Sequence, residues 1–434
     1  EAVQAIVRVR AREEVRASLA DCLDGIDPER TASILTDATD AVLAGALTVA
    51  TGLVIAQRDG VEAVSAGPDA SGCWQAARAR HAIIAMGRLG GREIGYASDA
   101  DVLFVHESRD GADDAAAAQE AEAVAKQVMG LLAAALPHPL EVDCDLRPEG
   151  RNGVMSRSLD AYREYYGRWS ALWERQALLR ARPCAGDRDL GRRFEELINP
   201  LRWAQEGLAP QDLREIRRIK ARVEAERLPR GIDPARHLKL GPGGLSDVEW
   251  SAQVLQLAHA GQVPQLRTTS TVAALQAAVQ AGVLSADDGG ELVAAWILAS
   301  RLRSAIVLGT GRASGPRSQV LPLQSREIRL VGRLIGLSAG RERELEDLYR
   351  RSARHARAVA ERIVFTDAAV HGSTASAPSS TVSTAQPHSQ ESPPPRSAGS
   401  ARRSRAQSRR DTGAAASKGS KRASRPRTTR RRPE

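Results

Sequence analysis

Two short apolar runs separated by a glycine-rich turn constrain this chain more than any other feature. Residues 81 to 87 read HAIIAMG and residues 99 to 107 read DADVLFVHE, with RLGGREIGYAS between them. Runs this short, apolar or β-branched and bounded by glycine, predict strands buried in a sheet. Asp99 and Asp101 open the second run. Strand side chains alternate faces, so two acids at i and i+2 point the same way, with α-carbons roughly 6.6 to 6.8 Å apart. Unpaired they repel; with magnesium between them and a polyphosphate they become hard oxygen ligands for an ion that takes few protein carboxylates plus phosphate oxygens. The competing explanation is a solvated strand edge with a turn-forming aspartate. It is weakened by AIIAM before the turn and VLFV after it, which imply a buried sheet.

The turn can serve the same chemistry. Gly87, Gly90 and Gly91 permit a close bend whose backbone N–H groups face phosphate oxygens, and Ser98 can donate one more hydrogen bond. The turn is neither a dinucleotide fingerprint, which needs a helix and an acid about 20 residues later, nor a P-loop, since no GK[ST] follows. Transfer supported by two metal ions usually needs a third carboxylate. A helical pattern from Ala115 to Leu136, stopped by Pro137 and Pro139, leads to a third strand, EVDCDLR, from Glu141 to Arg147. Asp143 and Asp145 lie on one face of it, and the pattern alone leaves both as candidates.

Elsewhere the chain predicts helix. The hydrophobic share is 42% with only 3% aromatics, which suits close-packed helices with small side chains. Residues 1 to 57 carry two helical patterns broken at DGIDPER, where Pro28 suits a first turn. From Leu159 to Phe365 the pattern is largely helical, including DAYREYYGRWSALWERQALLRAR as one stretch. The fold class expected is α+β. A leading helical part and loop occupies 1–75, a small sheet domain that carries the acids 76–158, a helical bundle 159–368 and a disordered basic tail 369–434.

The net charge of +9 invites a nucleic-acid reading, but it sits at one end. From residue 371 onward 14 Lys and Arg face 3 Asp and Glu, which leaves the preceding part nearly neutral. The tail is expected to be a solvated extension, so nucleic acid is not the expected partner. Four cysteines without CxxC spacing signal neither zinc nor a disulfide framework and fit a reducing cytoplasm. No unbroken apolar run reaches about 18 residues, so no membrane segment is expected. The chain starts at Glu1 within a helical pattern, which suggests a piece of a longer polypeptide.

GG, six residues, then SDxD resembles the signature of the polymerase-β-like nucleotidyltransferase superfamily. MGRLGGREIGYASDADVLFVHE, EVDCDLRPEGRNG, WERQALLRARPCAGD and LKLGPGGLSDVEWSAQVLQL occur in the order seen in glutamine synthetase adenylyltransferases, covering roughly Arg8 to Phe365. The resemblance implies magnesium-dependent transfer of AMP from ATP to a tyrosine of glutamine synthetase, with a nitrogen-signalling PII protein as a further partner. Asp99, Asp101 and Asp143 match the family's metal-binding and catalytic acids, which favours Asp143 over Asp145. Gly90, Gly91 and Ser98 match the nucleotide-cradling turn, and Arg147 matches the LRP arginine, for which a structural ion pair is the competing role. In the GPGGLSDVEW block, Lys239, Gly243, Gly244, Asp247 and Glu249 are secondary candidates; the acids there also suit a helix start.

Family members carry two such units, one removing AMP by phosphorolysis and one adding it. Gly95, Tyr96 and His106 make this chain more similar to the adenylylating, carboxy-terminal unit. Phosphorolytic removal, nucleotide transfer to nucleic acid and a non-catalytic regulatory module are the rival expectations. Trp169, Trp173 and Trp250 are expected to pack within helices, and no role is expected for the histidines.

Overall fold

The protein was examined as a computed structural model, which describes residues 2–23, 25–60, 71–135, 139–315 and 317–366, with residues 71–73 by backbone alone. The expected basic tail lies outside the described residues.

Helices Ala2–Leu23 and Pro28–Asp59 come first. The second starts where its sequence predicts: Asp27 accepts the N–H of Glu29, Pro28 occupies the first turn, and Gly60 ends it with φ 67. The apolar runs then form β1 (Ala79–Ala85) and β2 (Ala100–Ser108), paired antiparallel with His81 opposite His106. Helix Asp114–Ala133, capped by Asp113, follows β2. It leads to β3 (Val142–Asp143), shorter than expected, and then to β4 (Ser156–Ser158). Both run parallel to β2, β3 beside its start and β4 beside Phe104 to His106.

One strand departs from the sequence expectation. The stretch expected to be continuous helix from Asp160 breaks into helices Leu159–Trp169 and Leu172–Leu178, after which β5 (Arg182–Gly186) pairs antiparallel with β1. The sheet order is β3-β2-β1-β5, with β4 also on β2. Sheet residues therefore continue past residue 158. The helical period hid the strand because RPCAG is short and carries almost no β-branched signal.

Alternation along the hairpin divides it between two cores. Ile83, Ala85, Val102 and Phe104 pack with Leu43 and Leu47 of the second helix and Val124 and Val128 of Asp114–Ala133. Ala82, Ile84, Leu103 and Val105 pack on the other face with Tyr162, Phe194 and Ile198. Both faces are covered, which is why these strands read as unbroken apolar runs. A third, larger core joins the later helices, with buried residues from Leu179 to Val364.

Helices Pro28–Asp59 and Ala286–Thr310 are long and apolar enough by length and composition to cross a membrane. Each supplies residues to one of these cores. Trp250 is packed against the helical core as expected, whereas Trp169 and Trp173 are 70% and 41% exposed, contrary to the packing expectation. Both stand at the ends of short helices, where too little of the neighbouring chain reaches them to bury an indole.

Candidate active site

β2 and β3 are in register with Asp101 opposite Asp143, and Asp99 stands just before β2. One carboxylate oxygen from each of Asp99, Asp101 and Asp143 lies within 4.8 Å of the other two. Burial, and then the neighbouring Asp99 and Asp143, push the Asp101 carboxyl up to about 6. Three crowded hard oxygen donors of like charge fit a divalent cation such as magnesium. Asp145 does not join them: its carboxylate pairs with Arg151 at 2.8 Å, while its N–H donates to Asp143 Oδ1 at 2.7 Å. That last bond orients Asp143 and separates the two acids that the strand pattern left equivalent.

The glycine turn is tighter than an open phosphate cradle. Gly90 N–H donates to Met86 O at 2.7 Å and Gly91 N–H to Gly87 O at 3.1 Å. Their N–H groups are thus spent inside the turn, which corrects the expectation that they face phosphate. The lack of side chains serves packing instead. A Cβ on Gly90 would stand 1.8 Å from Arg180 O, and one on Gly87, where φ is +50, would stand 2.1 Å from Asp101 Oδ2. Gly87 therefore lets the chain pass against the carboxylate cluster. Ser98 Oγ accepts the N–H of Gly95 at 3.0 Å and keeps its own proton free to donate. Between them Ala97 holds φ 56, a left-handed conformation in a residue with a Cβ, directly before Ser98 and Asp99. Tyr96 anchors this loop to the first helix through its hydroxyl and Asp21, 3.4 Å apart.

Arg147 has structural partners, the role that competed with phosphate pairing, among them Asp145 at 3.9 Å. Its guanidinium donates to the carbonyls of Gly153, Cys144 and Arg151 at 3.0, 2.8 and 3.2 Å, and the residue is buried. It ties together the loop after β3, with three of its five N–H donors spent on backbone carbonyls. In the GPGGLSDVEW block, Asp247 is likewise structural. It accepts from Gly243 N–H at 2.7 Å and pairs with Lys220 and, at 3.1 Å, Arg357 inside the helical core. Gly243 has φ +73, and a Cβ there would meet Ala353 O at 1.7 Å; one on Gly244 would stand 2.7 Å from Leu238 O. Both glycines seat the turn, and neither offers a ligand group.

Lys239 and Glu249 differ from the rest of that block, because both interact electrostatically with Asp101. Glu249 Oε1 is buried without a hydrogen-bond partner. Burial opposes its charge, but Arg180, Arg88, Lys239 and Arg303 hold it below the usual glutamate range. The sequence reading assigned nothing to Arg88, Arg180 or Arg303. Arg88 and Arg180 stood within the motif blocks, yet their value comes from a fold that gathers three distant segments around one acid.

Three carboxylates that converge where β3 lies beside the start of β2, flanked by a glycine turn and overlooked by cations from a helical segment, define the fold of an α+β nucleotidyltransferase. Residues 1–197 match the family model for glutamate-ammonia ligase adenylyltransferase, and residues 216–363 match that for GlnD PII-uridylyltransferase. A bifunctional glutamine synthetase adenylyltransferase/adenylyl-removing enzyme of Streptomyces coelicolor is 52% identical over 287 residues, 66% of this chain and 28% of its own length. Enzymes of the same name from Cutibacterium acnes and Mycobacterium avium are 43% and 44% identical over 84% and 82% of this chain, each covered over 34% of its length. The chain belongs to the glutamine synthetase adenylyltransferase family and spans about a third of the length of the curated relatives it matches.

Proposed function

We propose that this chain transfers AMP from ATP to a tyrosine hydroxyl of glutamine synthetase. The observation that carries the reading is the mutual approach of Asp99, Asp101 and Asp143 to within 4.8 Å at the end of the β2–β3 pair. These residues would hold magnesium, which when bound supplies positive charge to the phosphate oxygens and lowers the cost of charge build-up at the leaving group. Asp143 takes the proton of the incoming tyrosine hydroxyl as its oxygen forms a bond to the α-phosphorus. The bond from the α-phosphorus to the bridging oxygen breaks, and pyrophosphate departs with that electron pair. Ser98 steadies a phosphate oxygen through its free hydroxyl proton, and Lys239 contributes charge from the helical segment. Positioning and electrostatics supply most of the catalysis.

The printed names of the relatives include an adenylyl-removing activity, so phosphorolysis at the same carboxylates is the second reading. The adenylylating direction rests on the likeness of Gly95, Tyr96 and His106 to that unit. The match of residues 216–363 to a PII-uridylyltransferase family model supports a PII protein as a regulatory partner. A cytoplasmic location follows from the same reading, since the substrate is a metabolic enzyme. The decisive experiment incubates purified glutamine synthetase with this chain, ATP and magnesium, followed by intact-mass measurement. One added AMP per modified subunit and equimolar pyrophosphate are expected. If AMP leaves an adenylylated substrate only when phosphate is supplied, the direction is reversed. If neither mass changes while nucleotide still binds, the chain is a regulatory module.

A further inference from the structure

Behind the loop that delivers Ser98 and Asp99 lies a partly enclosed chamber of about 60 Å³. Its walls come from the start of helix Pro28–Asp59, residues 95–97, helix Ala286–Thr310 and residues 318–319. Five of its lining residues carry a buried polar atom with no hydrogen-bond partner: Thr31 Oγ1, Arg88 Nη1, Trp296 Nε1, Ser300 Oγ and Gln319 Oε1. Thr31, Trp296 and Ser300 are 3%, 1% and 8% exposed. Buried polar groups are nearly always satisfied, and five unsatisfied ones around one space mark the place where something else completes them.

We propose that this chamber is a second binding site, for a tetrahedral oxyanion of the phosphate type. The chemistry of the wall selects that class. The indole N–H and Arg88 Nη1 can only donate, and the two hydroxyls can donate. Gln319 donates when its amide is turned. Arg303, on the same helix as Trp296 and Ser300, adds a second guanidinium to the lining. Two cations at one small space repel each other, and burial together with Arg88 lowers Arg303 to about 9. Glu249 and Asp99 offset part of this charge from outside the lining; water would meet the hydrogen bonds and add nothing against the remainder, whereas an oxyanion meets both demands. The volume holds a few waters or one such ion and excludes a whole nucleotide. Arg88 and Arg303 both interact electrostatically with Asp99, so occupancy is felt at the metal-binding cluster.

The oxyanion has two sources, free inorganic phosphate or the terminal phosphate of a nucleotide held at the carboxylates. Equilibrium dialysis of the full chain against radiolabelled phosphate, at constant ionic strength, tests the site without requiring any transfer activity. Saturable binding of one phosphate per chain is expected. Trp296→Phe, which keeps the ring and loses the N–H, is expected to weaken it several-fold, and Arg303→Gln at least tenfold. A non-hydrolysable ATP analogue that displaces the phosphate competitively assigns the site to the nucleotide tail; phosphate retained beside the bound analogue assigns it to the free ion. Absence of saturable binding overturns the proposal, as does binding that both variants leave unchanged. Ser300→Ala serves as the third variant if Arg303→Gln does not fold, and is expected to weaken binding with the native circular dichroism retained.

Discussion

Arg180 reaches Glu93 at 2.8 Å directly beside the glycine turn, and both side chains are almost fully buried. Glu93 also accepts the backbone N–H and the hydroxyl of Thr271, at the start of helix Thr271–Gln280. Arg180 donates in turn to Thr271 Oγ1 and to Gly87 O. One ion pair thus fastens the glycine turn to the helical segment.

Removing one partner of such a pair leaves a buried charge uncompensated. Glu93→Ala is expected to cost about 3–5 kcal/mol, read from the denaturant midpoint. The double variant Arg180→Met with Glu93→Leu should cost less than Glu93→Ala alone. If the single variant is neutral, the pair does not hold the turn.

The carboxylates separate by role. Asp101→Asn and Asp143→Asn should each lower AMP transfer on the order of 100-fold or more while leaving the fold intact. Asp145→Asn should stay within a few-fold of the parent, because that acid serves Arg151. Rates of pyrophosphate release at saturating ATP and magnesium distinguish them.

His81 and His106 face each other across the β1–β2 ladder. Burial, and for His81 also His106, depress them to about 3 and about 4. Both are therefore neutral in the folded chain at pH 7 and protonate first in the unfolded chain, near the ordinary value of about 6.5. Stability is fully present above that pH and falls as pH drops toward 4, by up to about 1.4 kcal/mol per pH unit for each histidine. Urea midpoints between pH 7 and pH 4 should show this slope, and His81→Leu should reduce it.

Gly90 and Gly95 belong to the same turn and tolerate change differently. Gly90→Ala places a Cβ 1.8 Å from a backbone carbonyl and 2.7 Å from a second. It should destabilise by about 1–3 kcal/mol or more. At Gly95 the nearest atom to an added Cβ is Ser98 Oγ at 4.0 Å, so Gly95→Ala should shift the melting temperature little.

The hairpin and its acids were legible because a strand buried on both faces must be apolar at every position, which leaves Asp99 and Asp101 as visible interruptions. The roles of Gly90, Gly91 and Arg147 were not. Glycine spacing reports that a close approach exists and is silent on whether phosphate or Arg180 does the approaching. An arginine after a strand looks the same whether its five donors meet a ligand or three carbonyls. Asp247 and Glu249 stand two residues apart in one motif, yet one serves the helical core and the other interacts with the carboxylate cluster through Asp101. That division depends on Lys220, Arg357, Arg88 and Arg303, all remote in sequence.

β5 follows the hairpin by more than seventy residues and seals one side of β1, an inner strand of the sheet. Until Arg182 to Gly186 have left the ribosome, β1 presents an open row of backbone donors and acceptors to whatever lies nearby. A polypeptide cut at residue 158 would retain Asp99, Asp101 and Asp143 and still be left with that adhesive margin. Shortened versions of this chain should therefore stay soluble only when they extend past residue 186, where the hairpin acquires its last neighbour.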